Sequence, residues 1–307
     1  MTAVKHVPVM TVAMLMIAGA CAAPQDDGAE GTLTAEQARE GRRQAIQGTL
    51  ATYDGEPRLE NGHVDIDLLV SQLQELNANT YDFLIWHAET DWEDLHAFME
   101  ATEDTDLKVW VSLVPPSESR NQKSEPFGLE YVQWADAIGE LSAQYPRIVA
   151  WSIDDFTHNL SFYTPEYLQQ MMDAAHAHNP LLAFVPCTYF PAATQDFADR
   201  YSGIIDGLLF YYRHESAGAN LTDPSLCPDE IAILRERFGE DFPIILGFYA
   251  TGHSRLGTTT PEYVEAVMNC GHELADGVHV YTHQPPGSPK PDVVKRLFGE
   301  WSAAAEE

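Results

Sequence analysis

The stretch Ile148-Val-Ala-Trp-Ser-Ile-Asp-Asp-Phe-Thr-His158 decides the fold prediction. Its first part is an apolar run rich in β-branched and aromatic side chains, which is typical of a buried strand. The run ends abruptly in Asp154 and Asp155, and a new helix is predicted to begin at Thr164-Pro165. In a barrel of parallel strands, functional groups sit at the carboxyl ends, because the strand holds them rigidly while the loops form the pocket. The stretch therefore predicts a strand with a functional acid at its end.

The same switch from a short apolar run to an amphipathic helical pattern recurs along the whole chain. The predicted strands cover residues 48–53, 81–87, 107–114, the run from 148, 181–189, 205–212, 242–249 and 277–282. The helices that follow them cover residues 66–76, 92–100, 129–144, 166–178, 194–201, 229–238, 261–273 and 292–303. Eight such units without a second compositional block predict an α/β protein with a single (β/α)8 TIM barrel. A doubly wound sheet is the alternative, but Asp54-Gly-Glu-Pro57 is not its Gly-rich phosphate turn.

The beginning of the chain is predicted to be a targeting signal. An apolar stretch, residues 7–18, follows a basic start and is too short to span a membrane. It ends in Ile17-Ala-Gly-Ala-Cys21, which resembles a bacterial lipoprotein signal in which Cys21 becomes the lipidated first residue. Cleavage after Ala20 or Ala23 without a lipid is the alternative. Either way we expect an exported protein, periplasmic or at the cell surface. In the lipoprotein interpretation, a lipid on Cys21 is its only contact with the membrane.

The predicted organisation is therefore a signal peptide (1–21), a linker with a short capped helix (22–45) and the barrel (46–305). The composition is strongly acidic, with 17 Lys and Arg against 47 Asp and Glu and a net charge of −30. Such a charge repels phosphate backbones and anionic membrane surfaces, so we expect no nucleic-acid partner. A solvated acidic surface that keeps an exported protein soluble accounts for it.

Three cysteines remain after the signal, namely Cys187, Cys227 and Cys270. In an oxidising compartment one pair bridges and leaves an odd thiol. Cys187 and Cys227 fall near consecutive strand ends, so they are the predicted pair. No CxxC or Cys/His spacing typical of structural zinc occurs.

Aromatic and acidic side chains collect at the carboxyl ends of the predicted strands, which form one rim of the barrel. They are Tyr53 and Asp54; Trp86, His87 and Glu89; Asp154 and Asp155; Tyr189; Tyr212, Arg213, His214 and Glu215; Tyr249 and His253; Tyr281 and His283. Aromatic faces stack on sugar rings, while carboxylates bind hydroxyl groups and supply an acid, base or nucleophile. The rim therefore predicts a carbohydrate substrate.

Asp154 and Asp155 are the predicted catalytic acids, because adjacent like charges at a buried strand end raise one pKa and create a proton donor. Side chains alternate along a strand, so one of the two is expected to face the lumen and the other the helix layer or a backbone amide. Glu215 or Glu89 is the expected second carboxylate, against the alternative of a solvated loop charge. Arg213 is expected to keep a carboxylate ionised or to hold an acid group of the substrate. The rim histidines are expected to orient carboxylates or bind hydroxyl groups.

Histidine and tyrosine alternate on the eighth strand, so they share a face and resemble a metal ligand set. The set is His279, Tyr281 and His283, completed by His87 or Asp155. Metal-dependent hydrolases on this barrel place His-x-His on the first strand, where this chain has Ala51 and Tyr53. We therefore expect no catalytic metal and no cofactor.

With these residues placed, the chain over residues 49–301 resembles the (β/α)8 glycoside hydrolases. The likeness is to families with an acidic cluster at the end of strand four, the chitinase-like and endo-galactosaminidase-like ones. Trp151-Ser-Ile-Asp-Asp-Phe156 stands where the chitinase-like pattern has Asp-Gly-x-Asp-x-Asp-x-Glu, most of which is missing here. The resemblance implies the location of the site and Asp154 or Asp155 as its acid.

The expected function is that of an exported glycosidase acting on an extracellular polysaccharide or oligosaccharide. Two alternatives stay open. One is a non-catalytic carbohydrate-binding surface lipoprotein that uses the same aromatic residues. The other is a polysaccharide lyase in which a Tyr/His pair abstracts the proton α to a uronate while Arg213 neutralises its acid group.

Overall fold

Short strands alternate with longer helices along the chain. The computed structural model describes residues 33–86, 88–120, 124–281 and 289–305, and those after Leu33 belong to one compact unit. The strands are β1 (Thr49–Tyr53), β2 (Thr80–Ile85), β3 (Lys108–Leu113), β4 (Ile148–Ile153), β5 (Ala183–Phe184), β6 (Cys187–Thr188), β7 (Leu208–Tyr211), β8 (Ile244–Tyr249) and β9 (Gly277–Tyr281). The helices are α1 (Ala35–Ala45), α2 (Ile66–Leu76), α3 (Asp91–Ala101), α4 (Tyr131–Gln144), α5 (Pro165–His178), α6 (Gln195–Tyr201), α7 (Cys227–Phe238), α8 (Pro261–Leu274) and α9 (Pro289–Ala305).

All strand pairs are parallel, in the order β5-β4-β3-β2-β1-β9-β8-β7-β6. β5 and β6 are two pieces of the predicted fifth strand, separated by Val185 and Pro186. β5 pairs with β4 and β6 pairs with β7, so this stretch closes the circle of strands. Proline has no backbone N–H for a ladder, which accounts for the break. The predicted α/β fold of TIM-barrel type is confirmed, with one of its eight strands in two pieces.

Side-chain hydroxyl groups fix where several helices begin. Thr164 accepts a hydrogen bond from the backbone N–H of Tyr167 and precedes a proline in the first turn of α5, as predicted. Thr34 begins α1 with a reciprocal capping box to Gln37. None of the helices in the described ranges is long and apolar enough to cross a bilayer.

The buried side chains form one cluster between the sheet and the helices and a second inside the barrel. Alternation along β3 shows the division, since Val109 and Val111 belong to the outer cluster and Trp110 to the inner one. The inner cluster also contains Cys187.

The predicted Cys187–Cys227 disulfide is wrong, because the bond joins Cys227 to Cys270. Cys187 lies in β6 with a buried, free thiol inside the barrel. Cys227 begins α7 and Cys270 lies in α8, so both belong to the helix layer, with Cα atoms 6.5 Å apart. A strand residue that faces the lumen cannot reach that layer.

Candidate active site

A pocket of about 410 Å³ opens at the carboxyl ends of the strands. Eight of the residues predicted at the rim line it, namely Tyr53, Trp86, Asp154, Asp155, Tyr189, Tyr249, His253 and Tyr281. Gly55, Leu84, Ser117, Glu118 and Tyr211 complete the lining. The pocket therefore combines aromatic rings and carboxyl groups.

Three tyrosines form one wall of the pocket. The strand register aligns Tyr281 with Tyr53 on one side and with Tyr249 on the other. The ring centroids of Tyr53 and Tyr281 are 5.3 Å apart, and those of Tyr249 and Tyr281 are 5.4 Å apart. His253 stacks on Tyr249 at 4.8 Å. Such a surface has apolar ring faces for a sugar and hydroxyl groups for its polar edge.

Asp154 and Asp155 both line the pocket, whereas the alternation of an extended strand predicts that they face opposite sides. The cause is the backbone of Asp155, which has a φ of 45° in the left-handed region. This turn directly after β4 ends the alternation. A left-handed residue other than glycine costs roughly 1–2 kcal/mol and is concentrated at functional sites.

The carboxyl group of Asp154 is half-buried and held through both of its oxygens. The Tyr53 hydroxyl donates to Oδ2 at 3.2 Å, and the backbone N–H of Asp155 donates to Oδ1 at 2.8 Å. Burial raises the pKa of Asp154, and the negative charge of Asp155 raises it further. Asp154 is therefore the more easily protonated member of the pair.

Asp155 has the opposite electrostatic environment. The Tyr189 hydroxyl donates to Oδ1 at 2.6 Å, and Nδ1 of His158 lies 3.5 Å from the same oxygen. Burial favours a higher pKa for Asp155, but the hydrogen bonds from His158 and Tyr189 outweigh it and hold the pKa below its ordinary value. The bond to Asp155 in turn raises the pKa of His158. Asp155 is therefore an ionised carboxylate near neutral pH.

Glu118 is a third acid of the pocket and was not predicted from the sequence. It lies in the loop between β3 and α4, after Pro115-Pro116-Ser117. Burial, followed by the charges of Asp154 and Asp155, raises the pKa of Glu118 to about 7. Its position just after a predicted strand was a signal that the sequence contains. The path of the loop, which brings Glu118 to the pocket, could not be predicted from the sequence.

Glu215 and Arg213 are predicted site residues that lie beside the pocket rather than in its lining. The Arg213 guanidinium donates to Glu215 Oε1 at 2.5 Å and lies 3.6 Å from the centroid of the Tyr189 ring. Glu215 Oε2 also accepts the backbone N–H of Phe190 at 3.1 Å. Both oxygens of Glu215 are thus used in holding the wall around Tyr189.

The remaining predicted residues lie away from the pocket or outside the described residues. Tyr212 points to the helix layer, where its hydroxyl donates to the Asp223 carbonyl at 2.8 Å. His214, at a φ of 55°, turns Nε2 to within 3.3 Å of Asp223 Oδ2. Glu89 is exposed and does not line the pocket. His87 and His283 are the two outside the described residues.

Within the described part of the chain, one set of side chains is close enough to share an ion. Ligand atoms of Asp154, Asp155 and Cys187 all lie within 4.8 Å of one another. Burial raises the pKa of the Cys187 thiol well above its usual value, and a protonated thiol is a poor ligand. Of the metal ligands predicted from the sequence, His279 is fully buried and bonded to Asp82 and Tyr211, and Tyr281 belongs to the tyrosine wall of the pocket.

No protein-family model matches the chain, and no curated protein sequence matches it. Among solved structures, it is similar to the β-glucuronidase 2 of Bacteroides uniformis, with 12% identity and a TM-score of 0.52 over 76% of this chain and 30% of that one. It is similar to the β-galactosidase of the psychrophilic Marinomonas ef1, with 10% identity and a TM-score of 0.59 over 83% and 60%. It is also similar to active domain 2 of a thermostable chitinase from Pyrococcus furiosus, with 10% identity and a TM-score of 0.55 over 84% and 95%.

The chain thus spans less than two thirds of the first two enzymes and nearly all of the chitinase chain. At these identities the likeness shows the fold, a TIM barrel of the kind found in glycoside hydrolases.

Proposed function

We propose that this protein is a glycoside hydrolase that acts on an extracellular polysaccharide or oligosaccharide. One observation carries the proposal. Glu118, whose pKa is raised to about 7, and Asp155, whose pKa is held below its ordinary value, line the same tyrosine-rich pocket. Glycosidases need both a carboxylic acid and a carboxylate beside the scissile bond. The similarity of the fold to three glycosidases supports the same proposal.

Each acid receives one role. Asp155 is the ionised carboxylate that faces the anomeric carbon, because the hydrogen bonds from Tyr189 and His158 favour its charged form. Glu118 is the general acid, because a pKa of about 7 suits proton donation near neutral pH. Asp154 is a positioning residue, since its two oxygens already accept hydrogen bonds from the Tyr53 hydroxyl and from the backbone N–H of Asp155. Glu118 thereby takes the acid role that the sequence assigns to Asp154 or Asp155, and Asp155 takes the role of second carboxylate that the sequence assigns to Glu215 or Glu89.

The reaction follows from these roles. The Glu118 carboxyl gives its proton to the glycosidic oxygen as the bond from that oxygen to the anomeric carbon breaks. The Asp155 carboxylate stabilises the positive charge that develops on the sugar ring. A water oxygen then bonds to the anomeric carbon, and a carboxylate of the site takes the proton that the water loses.

The test is turnover of a panel of 4-nitrophenyl glycosides and polysaccharides, with products identified by mass. Asp155→Asn is expected to lower kcat/KM by at least roughly 100-fold. Glu118→Gln is expected to slow cleavage of a sugar leaving group much more than that of 4-nitrophenolate, which needs little protonation. Glu100→Gln, the same change at an exposed position of α3, is the control. Undiminished turnover by Asp155→Asn would refute the proposal. Sugar binding without any product would favour the carbohydrate-binding alternative.

A polysaccharide lyase is the second candidate, because Tyr211 and His279 form a Tyr/His pair with Oη and Nδ1 3.1 Å apart. Burial raises the pKa of Tyr211 well above its usual value, which disfavours the phenolate that a lyase base requires. Unsaturated products that absorb in the ultraviolet would distinguish a lyase from a hydrolase.

We also propose export with a lipid on Cys21. The Cys227–Cys270 disulfide supports export, since disulfides persist mainly in oxidising compartments. The mass of the N-terminal peptide from expressing cells tests the proposal, and Cys21→Ser is the control that removes the lipid. An intact N-terminal methionine in the mature protein would contradict it.

A further inference from the structure

A chain of buried hydrogen bonds lies inside the barrel next to the pocket. Ser112 Oγ donates to Asp82 Oδ2 at 2.9 Å, and His279 Nε2 lies 3.1 Å from the same oxygen. His279 Nδ1 lies 3.1 Å from the hydroxyl oxygen of Tyr211. Asp82 and His279 have no exposed surface, whereas Tyr211 is 5% exposed and lines the pocket. The chain therefore has one end at the pocket.

A glycine makes this arrangement possible. The strand register places Gly247 between Tyr211 on β7 and His279 on β9. A Cβ atom at position 247 would lie 2.8 Å from Cγ of the Tyr211 ring, closer than side chains approach. Because the glycine has no side chain, the ring lies across β8 and its hydroxyl reaches His279. Residues on β2, β3, β7, β8 and β9 thus together determine where the Tyr211 hydroxyl lies.

The partners fix where the protons are. Nε2 of His279 faces Asp82 Oδ2, and a carboxylate oxygen accepts hydrogen bonds, so we assign the ring hydrogen to Nε2. With the ring hydrogen on Nε2, Nδ1 is the acceptor, and the Tyr211 hydroxyl is its donor. Burial raises the pKa of Tyr211 well above its usual value, so the phenol keeps its proton. The hydroxyl has one proton, and that proton is donated to Nδ1 of His279.

We infer that Tyr211 is a specificity-determining residue whose oxygen accepts a hydrogen bond from one hydroxyl group of the bound sugar. The inference rests on the proposed function. Ser112, Asp82 and His279 are positioning residues, since they act only through Tyr211. A sugar that lacks this hydroxyl, or carries a methyl ether there, leaves a largely buried acceptor unpaired and binds less well.

The first experiment reads the proton positions without any substrate. The full chain is labelled with 15N-histidine, and the His279 signals are identified from their loss in His279→Gln or, should that variant unfold, from their shift in Tyr211→Phe. We expect the signals of the Nε2–H tautomer. An imidazolium or an Nδ1–H tautomer would overturn the inference, because the Tyr211 proton would then point away from His279. If no glycoside is cleaved, the proposed function fails while this result still stands.

The second experiment reads the sugar contact. The kcat/KM of a cleaved 4-nitrophenyl glycoside is compared with that of its mono-deoxy and mono-O-methyl analogues. The wild type is expected to lose roughly 10- to 100-fold when one particular hydroxyl is changed, and Tyr211→Phe is expected to lose that preference alone. Tyr263→Phe removes a buried phenol oxygen outside the pocket lining and is the matched control. A full preference in Tyr211→Phe would overturn the inference. In a chain without turnover, dissociation constants of the corresponding free monosaccharides replace kcat/KM.

Discussion

Reduction of the Cys227–Cys270 disulfide is expected to lower the free energy of unfolding by about 4 kcal/mol. The bond closes a loop with a sequence separation of 43 residues that runs from the start of α7 through β8 into α8. A cross-link of this span removes about 13 cal/mol/K of chain entropy from the unfolded state. Multiplied by 298 K, that entropy gives the expected loss.

The assay is urea unfolding of the same chain with and without a phosphine reductant. Unfolding is monitored by circular dichroism and tryptophan fluorescence. Cys270→Ala is expected to abolish the difference between the two conditions. Cys187→Ala is expected to keep it, because that thiol is free. A difference below about 1 kcal/mol would refute the entropy estimate. Loss of the difference in Cys187→Ala would refute the pairing.

Three further predictions concern acids and packing. The kcat/KM is expected to fall as the pH rises through about 7, because Glu118, with its pKa of about 7, then loses the proton that it donates. Glu118→Gln should flatten this limb of the pH–rate profile. An unchanged limb would contradict the role of Glu118 as the general acid. Gly139→Ala is expected to lower the free energy of unfolding in urea by about 1–3 kcal/mol, because the added Cβ would lie 2.6 Å from the Ala175 carbonyl oxygen, where α4 packs on α5. A Cβ added at Gly203 meets no atom within 4 Å, so Gly203→Ala is the control and should lower it far less. Burial raises the pKa of Glu56 to about 7, so the unfolded state binds fewer protons than the folded one between about pH 4.5 and 7, and stability is lost as the pH rises through this interval. The urea midpoint, measured against pH for the wild type and Glu56→Gln, checks this loss, and parallel curves would contradict it.

The order of strands and helices could be predicted because its signals are local. Hydrophobic period and helix caps such as Thr164 depend on a few neighbouring residues. The break at Pro186 also had a local signal, and the prediction of a continuous fifth strand ignored it. The wall of Tyr53, Tyr249 and Tyr281 followed from the strand ends alone.

The rest of the site depends on contacts between distant parts of the chain. Of two consecutive tyrosines, the sequence favoured Tyr212, but Tyr211 faces the lumen, and the register with the neighbouring strand decides this. The loop that carries Glu118 is held by a hydrogen bond from the Ser117 backbone N–H to Asn159 Oδ1 at 3.0 Å, far along the chain. Prediction of the Cys227–Cys270 pairing likewise required the relative positions of two helices, α7 and α8.

The left-handed backbone of Asp155 limits what can replace this residue. Glycine, asparagine and aspartate adopt such a conformation with the least strain, and longer side chains rarely do. A glutamate would keep the charge yet oppose the turn, whereas an asparagine would keep the turn and lose the charge. Handedness, more than acidity, therefore makes aspartate the one acidic residue suited to this corner of the barrel.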